Sequence, residues 1–163
     1  MDRADQPRRA GGRRGGRRLS EAIRRARKDD SDVARSLLRE YADAIGVDLG
    51  FQDFDSEVAD PLGFYELVLL ASDGCVALRR IDERTCEMKR LYVRPPARRS
   101  GLGRRLAEAV IDEAQARGYE RMLLDTLPTM GAAQALYRSL GFRETQPYRH
   151  NPVPGAAFME LSL

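Results

Sequence analysis

The residues of this chain whose types and spacing could do chemistry gather between positions 86 and 118, CEMKRLYVRPPARRSGLGRRLAEAVIDEAQARG. At its centre stands Arg98-Arg99-Ser100-Gly101-Leu102-Gly103, a basic segment with two glycines. Before it, Met88, Leu91, Tyr92 and Val93 read as a strand. Arg94-Pro95-Pro96 then stops any ladder or helix, because proline has no amide hydrogen and biases the residue before it to extended conformations. After it, Leu102, Leu106, Val110 and Ala114 recur at i+4 and predict a helix with one apolar face. A strand, a glycine turn and a helix N-terminus in that order make a cradle for an anion such as phosphate. Glycines let the backbone come close, unpaired amides point outward, and the helix dipole adds attraction. The bland alternative is that Gly101 and Gly103 merely turn the chain.

The spacing sharpens this reading. Arg98-x-x-Gly101-x-Gly103 on a strand-to-helix turn resembles the acetyl-coenzyme A loop of the GNAT superfamily of N-acetyltransferases, which reads Arg or Gln, two residues, Gly, one residue, then Gly or Ala. The preceding LYVRP and the later ALYRSLGF fit the same family, over roughly residues 22–163. The resemblance implies an α/β architecture of the GNAT acyl-CoA N-acyltransferase type, a central mixed β-sheet flanked by helices on both faces. It also implies acetyl-CoA as cosubstrate, no metal, and direct transfer to a primary amine of a small molecule or peptide. Family members are often homodimers.

Residue by residue, the resemblance places the pyrophosphate at Arg98, Arg99, Ser100, Gly101, Leu102, Gly103 and Arg104. It places the pantetheine arm along the main chain of Leu91, Tyr92 and Val93, where an amide polarises the thioester carbonyl. Glu87, eleven residues before Arg98, matches the glutamate that takes the amine proton. Its bland reading is a structural carboxylate paired with Arg79 or Arg80. Tyr137, in Ala133-x-x-Leu136-Tyr137-x-x-x-Gly141-Phe142, matches the tyrosine that protonates the leaving thiolate, a phenol and a thiol being close in pKa. The asparagine that often opens this block is Met130 here. Tyr41, Phe51 and Phe54 fall on helices that flank the family's acceptor pocket, with core aromatics as the alternative. The C-terminal YRHNPVPG lies over that cleft in such folds, so Arg149 or His150 is expected to meet an anionic group on the acceptor, or His150 to assist as a base.

The elements that must position these residues follow from the remaining pattern. One domain is expected over residues 21–163, with a strand near 22–26 and a helix from 29–32 to Ile45 stopped by Gly46. A helical piece over 53–59 follows, then paired strands at 64–71 and 75–81 about an Asp73-Gly74 turn whose central residues need positive φ. That hairpin is shorter than the family's, which predicts a truncated or shifted second strand. After the central helix come a strand at 121–126, a helix capped by Thr129, and closing strands. Residues 1–20 carry almost no apolar side chains and are expected to be a disordered basic tail. The first 28 residues hold eleven Arg or Lys against three acids, so +8 of the net +3 lies there and the rest is −5. Such a head suggests nucleic acid, but no aromatic is interleaved to stack on bases, and a solvated tail is preferred. Two cysteines and one histidine argue against a disulfide framework or a His/Cys metal site. No long apolar run predicts a membrane span, and a cytoplasmic protein is expected. A non-catalytic coenzyme A-binding module is the remaining alternative.

Overall fold

The computed structural model describes residues 22–163; the expected basic tail at 1–20 lies outside them. Seven strands form one mixed sheet: β1 (Arg24–Arg25), β2 (Leu67–Ala71), β3 (Gly74–Arg80), β4 (Thr85–Val93), β5 (Arg121–Thr126), β6 (Arg143–Thr145) and β7 (Ala157–Ser162). Their spatial order is β1-β2-β3-β4-β5-β7-β6. Only β4 and β5 run parallel, and every other neighbouring pair is antiparallel. Helices α1 (Ser31–Ile45), α2 (Phe54–Ala59) and α3 (Pro61–Phe64) cover one face, and α4 (Leu102–Ala116) and α5 (Gly131–Ser139) the other. Because both faces are covered, β2 reads LVLLA and is buried at every position rather than alternating.

Local chemistry sets the boundaries. Gly46 takes φ +62° and ends α1 through its amide to the Ala42 carbonyl. Asp30 caps α1 by position only. Its carboxylate is held by Arg24 at 2.7 and 2.8 Å and by the Arg27 amide at 2.7 Å, so it cannot turn to the helix. The first strand is two residues, not five. Residues 64–66 do not join β2, because Asp60 Oδ1 accepts from the Gly63 amide at 3.1 Å and Pro61 sits at the first helical position, starting α3 instead. Thr129 does not cap α5; the helix opens one residue later with Met130 at its N-cap and no side-chain cap.

The hairpin differs from expectation in an instructive way. Ala71 pairs with Gly74, so the two-residue turn is Ser72-Asp73 and Gly74 already belongs to β3. Neither turn residue has positive φ. Nor is β3 truncated: it spans seven residues. Gly74 is required for closeness instead. A Cβ there would stand 2.6 Å from the Tyr92 carbonyl oxygen and 3.0 Å from Leu106 Cδ1. Gly74→Ala is therefore expected to cost about 1–3 kcal/mol, as overpacking does. A thermal melt within the error of the parent would contradict this.

The irregularity lies in β4. Between Cys75↔Tyr92 and Ala77↔Lys89 the pairing skips one extra residue of β4, a β-bulge. Arg90 carries it at φ +58°, a conformation that costs a non-glycine residue roughly 1–2 kcal/mol. The bulge resets the side-chain alternation. Cys86, Met88, Leu91 and Val93 face α4, while Tyr92 joins the cluster beneath α1 and α2. Arg90 reaches that same side, where Glu57 of α2 takes its guanidinium in two bonds of 2.8 Å.

Candidate functional site

Strand β4 pairs with β5 only through Thr85, Cys86 and Glu87. β4 then runs to Val93 and β5 to Thr126 without further bonds between them. The two strands part, and a cleft opens in the gap. Met88, Lys89, Arg90 and Leu91 line it from β4, and Leu124, Asp125 and Thr126 from β5. Tyr41, Phe51 and Gln52 close it from the α1 side, and Met130, Ala133 and Tyr137 from α5. A parallel pair that separates leaves main-chain donors and acceptors along one edge without ladder partners, so a ligand arm can take their place.

The turn after β4 ends in the helix start expected from the sequence. Arg99 has φ +63° and Gly101 φ +84°, and α4 begins at Leu102. Beyond its own chain neighbours, no atom lies within 4 Å of where a Gly101 side chain would begin; at Gly103 the nearest outside the local backbone are Val93 Cγ2 at 3.7 Å and Leu136 Cδ2 at 4.0 Å. The first-turn amides of a helix have no intrahelical acceptor, so this open backbone fits a pyrophosphate. Arg98, Arg99, Ser100 and Gly101 are exposed around it, and Leu102 is buried beneath α4. Arg98 donates from Nε to the Val93 carbonyl at 3.0 Å. Arg104 is engaged elsewhere, on Ser139 Oγ at 2.6 Å and Glu108 at 3.5 Å, tying α4 to α5.

Glu87 is 2% exposed and held on a single oxygen. Its Oε1 accepts from the Tyr148 hydroxyl at 2.9 Å, lies 2.6 Å from Arg149 Nη2, and stands 3.5 Å from Lys89 Nζ. Among the described residues no hydrogen bond ends on Oε2. The expected partners Arg79 and Arg80 are not used; Arg79 stands opposite on β3 but lies over the Phe64 ring, 5.5 Å from its centroid. The long-range latch from residues 148–149 replaces them.

Tyr137 is buried against Phe142, ring centroids 5.7 Å apart. Burial above all, with the Asp125 carboxylate adding to it, pushes its phenol well above the ordinary value, so it stays protonated. Its hydroxyl has no hydrogen-bond partner among the described residues. Tyr41 and Phe51 line the cleft, whereas Phe54 is outside it, 5.7 Å from Arg90. Arg149 does not offer a free cation, being spent on Glu87 and on Asp125 at 3.1 Å. His150 is exposed and lines nothing; Asn151 lines the cleft in its place.

Reading the sequence missed the polar floor of the cleft. Lys89 Nζ donates to Gln52 Oε1 at 2.9 Å, and Asp125 accepts from Gln52 at 3.2 Å and Asn151 at 2.9 Å. Burial pushes the Lys89 ammonium down to about 8, against the opposing pull of Glu87. Burial alone would raise the Asp125 carboxyl, but Lys89 and Arg149 outweigh it and hold it below its usual value. The one available signal was rarity, since Lys28 and Lys89 are the only lysines. Among the described residues no group of His, Cys, Asp or Glu could hold a metal ion, and no helix is long and apolar enough to cross a membrane.

Comparison with known proteins places this geometry. Residues 35–142 match the model of the acetyltransferase (GNAT) family. An uncharacterized N-acetyltransferase of Schizosaccharomyces pombe is 41% identical over 145 residues, 82% of this chain and 89% of that one. Two solved structures share the fold. A GNAT family acetyltransferase from Elizabethkingia anophelis with acetyl-CoA bound has a TM-score of 0.58 at 19% identity, covering 88% of this chain and 98% of its own. A Bacillus subtilis acetyltransferase in complex with CoA has a TM-score of 0.64 at 18% identity, covering 88% and 99%.

Proposed function

Because the chain belongs to the acetyltransferase (GNAT) family, we propose that it transfers the acetyl group of acetyl-CoA to a primary amine, by direct attack within a ternary complex. The observation that carries this is the parting of β4 from β5 directly before the Arg98–Gly103 turn, with an unpartnered Tyr137 hydroxyl in the gap. Bound there, acetyl-CoA would supply the acyl group in activated form, as a thioester. Everything else falls to the chain.

The amides at the start of α4, with Gly101 and Gly103 bare above them, hold the pyrophosphate, and Arg98 and Arg99 add positive charge. The edge of Leu91 to Val93 that faces away from β3, where Arg98 already takes the Val93 carbonyl, receives the pantetheine arm and directs an amide at the thioester carbonyl. Glu87 takes the amine proton on Oε2, while Tyr148 and Arg149 fix Oε1 and so set the carboxylate's direction. Tyr137 gives its proton to the departing sulfur.

Isothermal titration with acetyl-CoA tests the reading. Micromolar binding is expected, falling by at least about tenfold, or 1.4 kcal/mol, in Gly103→Leu. That change leaves the backbone unstrained, because Gly103 has an ordinary helical φ, and it fills the space over the first turn. Failure to bind acetyl-CoA, or equal binding by both proteins, would sink the assignment.

A further inference from the structure

An acceptor amine must sit near the base that deprotonates it and in the cleft that holds the thioester. One amine of this chain already meets both conditions. Lys89 lines the gap between β4 and β5, and its Nζ stands 3.5 Å from Glu87 Oε1 and 3.8 Å from Asp125 Oδ1. Its side chain is 4% exposed, so it does not sweep solvent as surface lysines do. Only one of its three donors is used within hydrogen-bond distance, on Gln52 Oε1. The residue lines a cleft whose polar floor is Gln52, Asp125 and Asn151.

We propose that Lys89 is an internal acetyl acceptor, modified by the chain's own acetyl-CoA when no external amine fills the cleft. This rests on the functional reading above. The balance is that of the external reaction. The Lys89 nitrogen forms a C–N bond to the thioester carbonyl carbon, and the C–S bond breaks with its electron pair passing to sulfur. The proton lost from nitrogen goes to the Glu87 carboxylate, and Tyr137 supplies the proton that completes the thiol. The product is a neutral amide on Lys89 and free coenzyme A.

Two features make the amine competent. Burial is the largest influence on its proton affinity and lowers it, while Glu87 and Asp125 raise it and Arg90 and Arg149 lower it. With its proton affinity lowered to about 8, roughly a tenth of Lys89 is neutral at pH 7, against well under a thousandth for an ordinary lysine. Confinement beside the donor also replaces a bimolecular encounter by an intramolecular one, worth up to about 10⁵ M or more in effective concentration when aligned. The modified side chain would leave Glu87 and Asp125 facing Arg149 alone.

The sequence supplies its own control. Lys28, the only other lysine, lies exposed in a 3-10 turn far along the chain. First, the cofactor-free chain is labelled with trace acetic anhydride across pH 6–11 and the two lysine peptides are quantified by mass spectrometry. Lys89 is expected to label with a midpoint near pH 8; no labelling at any pH would show the amine shut off and overturn the proposal. Next, the chain is incubated with acetyl-CoA and mapped. Lys89 should acquire acetyl at least about tenfold faster than Lys28, saturably, and Tyr137→Phe should slow Lys89 alone. Lys89→Arg should abolish the modification. Binding of acetyl-CoA by calorimetry with Lys89 no faster than Lys28 overturns this inference and leaves the functional reading standing. Absence of acetyl-CoA binding overturns that reading and this inference with it.

Discussion

Tyr137→Phe is expected to lower kcat by about 10²–10⁴-fold, the range over which positioned acid–base groups act, while acetyl-CoA affinity and melting temperature stay at parent values. The structure makes this substitution unusually clean. The hydroxyl has no hydrogen-bond partner among the described residues, so removing it leaves no orphaned group and no lost bond. The ring keeps its edge contact with Phe142 at 5.7 Å and its place in the core beside α4. Burial holds the phenol protonated through the neutral range, which is the state an acid needs. A phenol acting only as packing would be replaced by phenylalanine without kinetic consequence. Stopped assays of thiol release with a saturating amine, beside calorimetry of acetyl-CoA, read the two quantities separately. Unchanged kcat would remove Tyr137 from the mechanism.

Glu57→Ala should be the most damaging single change to stability, at about 3–5 kcal/mol, because it strands a buried guanidinium. Glu57 is fully buried and Arg90 is 5% exposed. Arg90 also carries the positive φ of the bulge and lies between two rings, 5.3 Å from the Tyr41 centroid and 5.7 Å from that of Phe54. Losing the pair therefore frees the bulge that turns Lys89 and Arg90 to one side of the sheet. In a chain of this size the loss corresponds to a fall in Tm of roughly 6–20 °C. Pairing Glu57→Leu with Arg90→Met should recover much of the stability, since apolar replacement of a whole buried pair is often neutral. If Glu57→Ala melted within about 1 °C of the parent, the pair would not be what holds the bulge.

Much of the turn before α4 was legible from the chain itself. Proline after a strand, glycines at a turn and an i+4 apolar stripe act within a few residues, so Gly101 at φ +84° and α4 beginning at Leu102 follow from local rules. The same holds for Gly46 ending α1. The Ser72-Asp73 turn escaped because Asp-Gly is a local hairpin signal, whereas Gly74 is demanded by the Tyr92 carbonyl eighteen residues away. Local statistics carry no information about such an approach.

The surroundings of Glu87 and Lys89 were decided elsewhere. From sequence, Glu87 could be named by its distance from Arg98, and Tyr137 by the motif around it. Which groups would hold them could not. Tyr148 and Arg149 reach Glu87 from sixty-one and sixty-two positions along the chain, and Gln52 reaches Lys89 from thirty-seven. These contacts exist because the sheet order places β7 beside β5, bringing the connection before β7 over the gap. The sequence by itself thus determined the family, the fold class and the glycine turn that opens α4. Tertiary structure alone decided that β4 parts from β5 after Glu87, that a bulge at Arg90 reverses the alternation, and that Lys89 sits beside the carboxylate. The reason is physical: turns and helix stripes are fixed by neighbours within one turn of chain, while a charge's partners are fixed by which strands lie side by side.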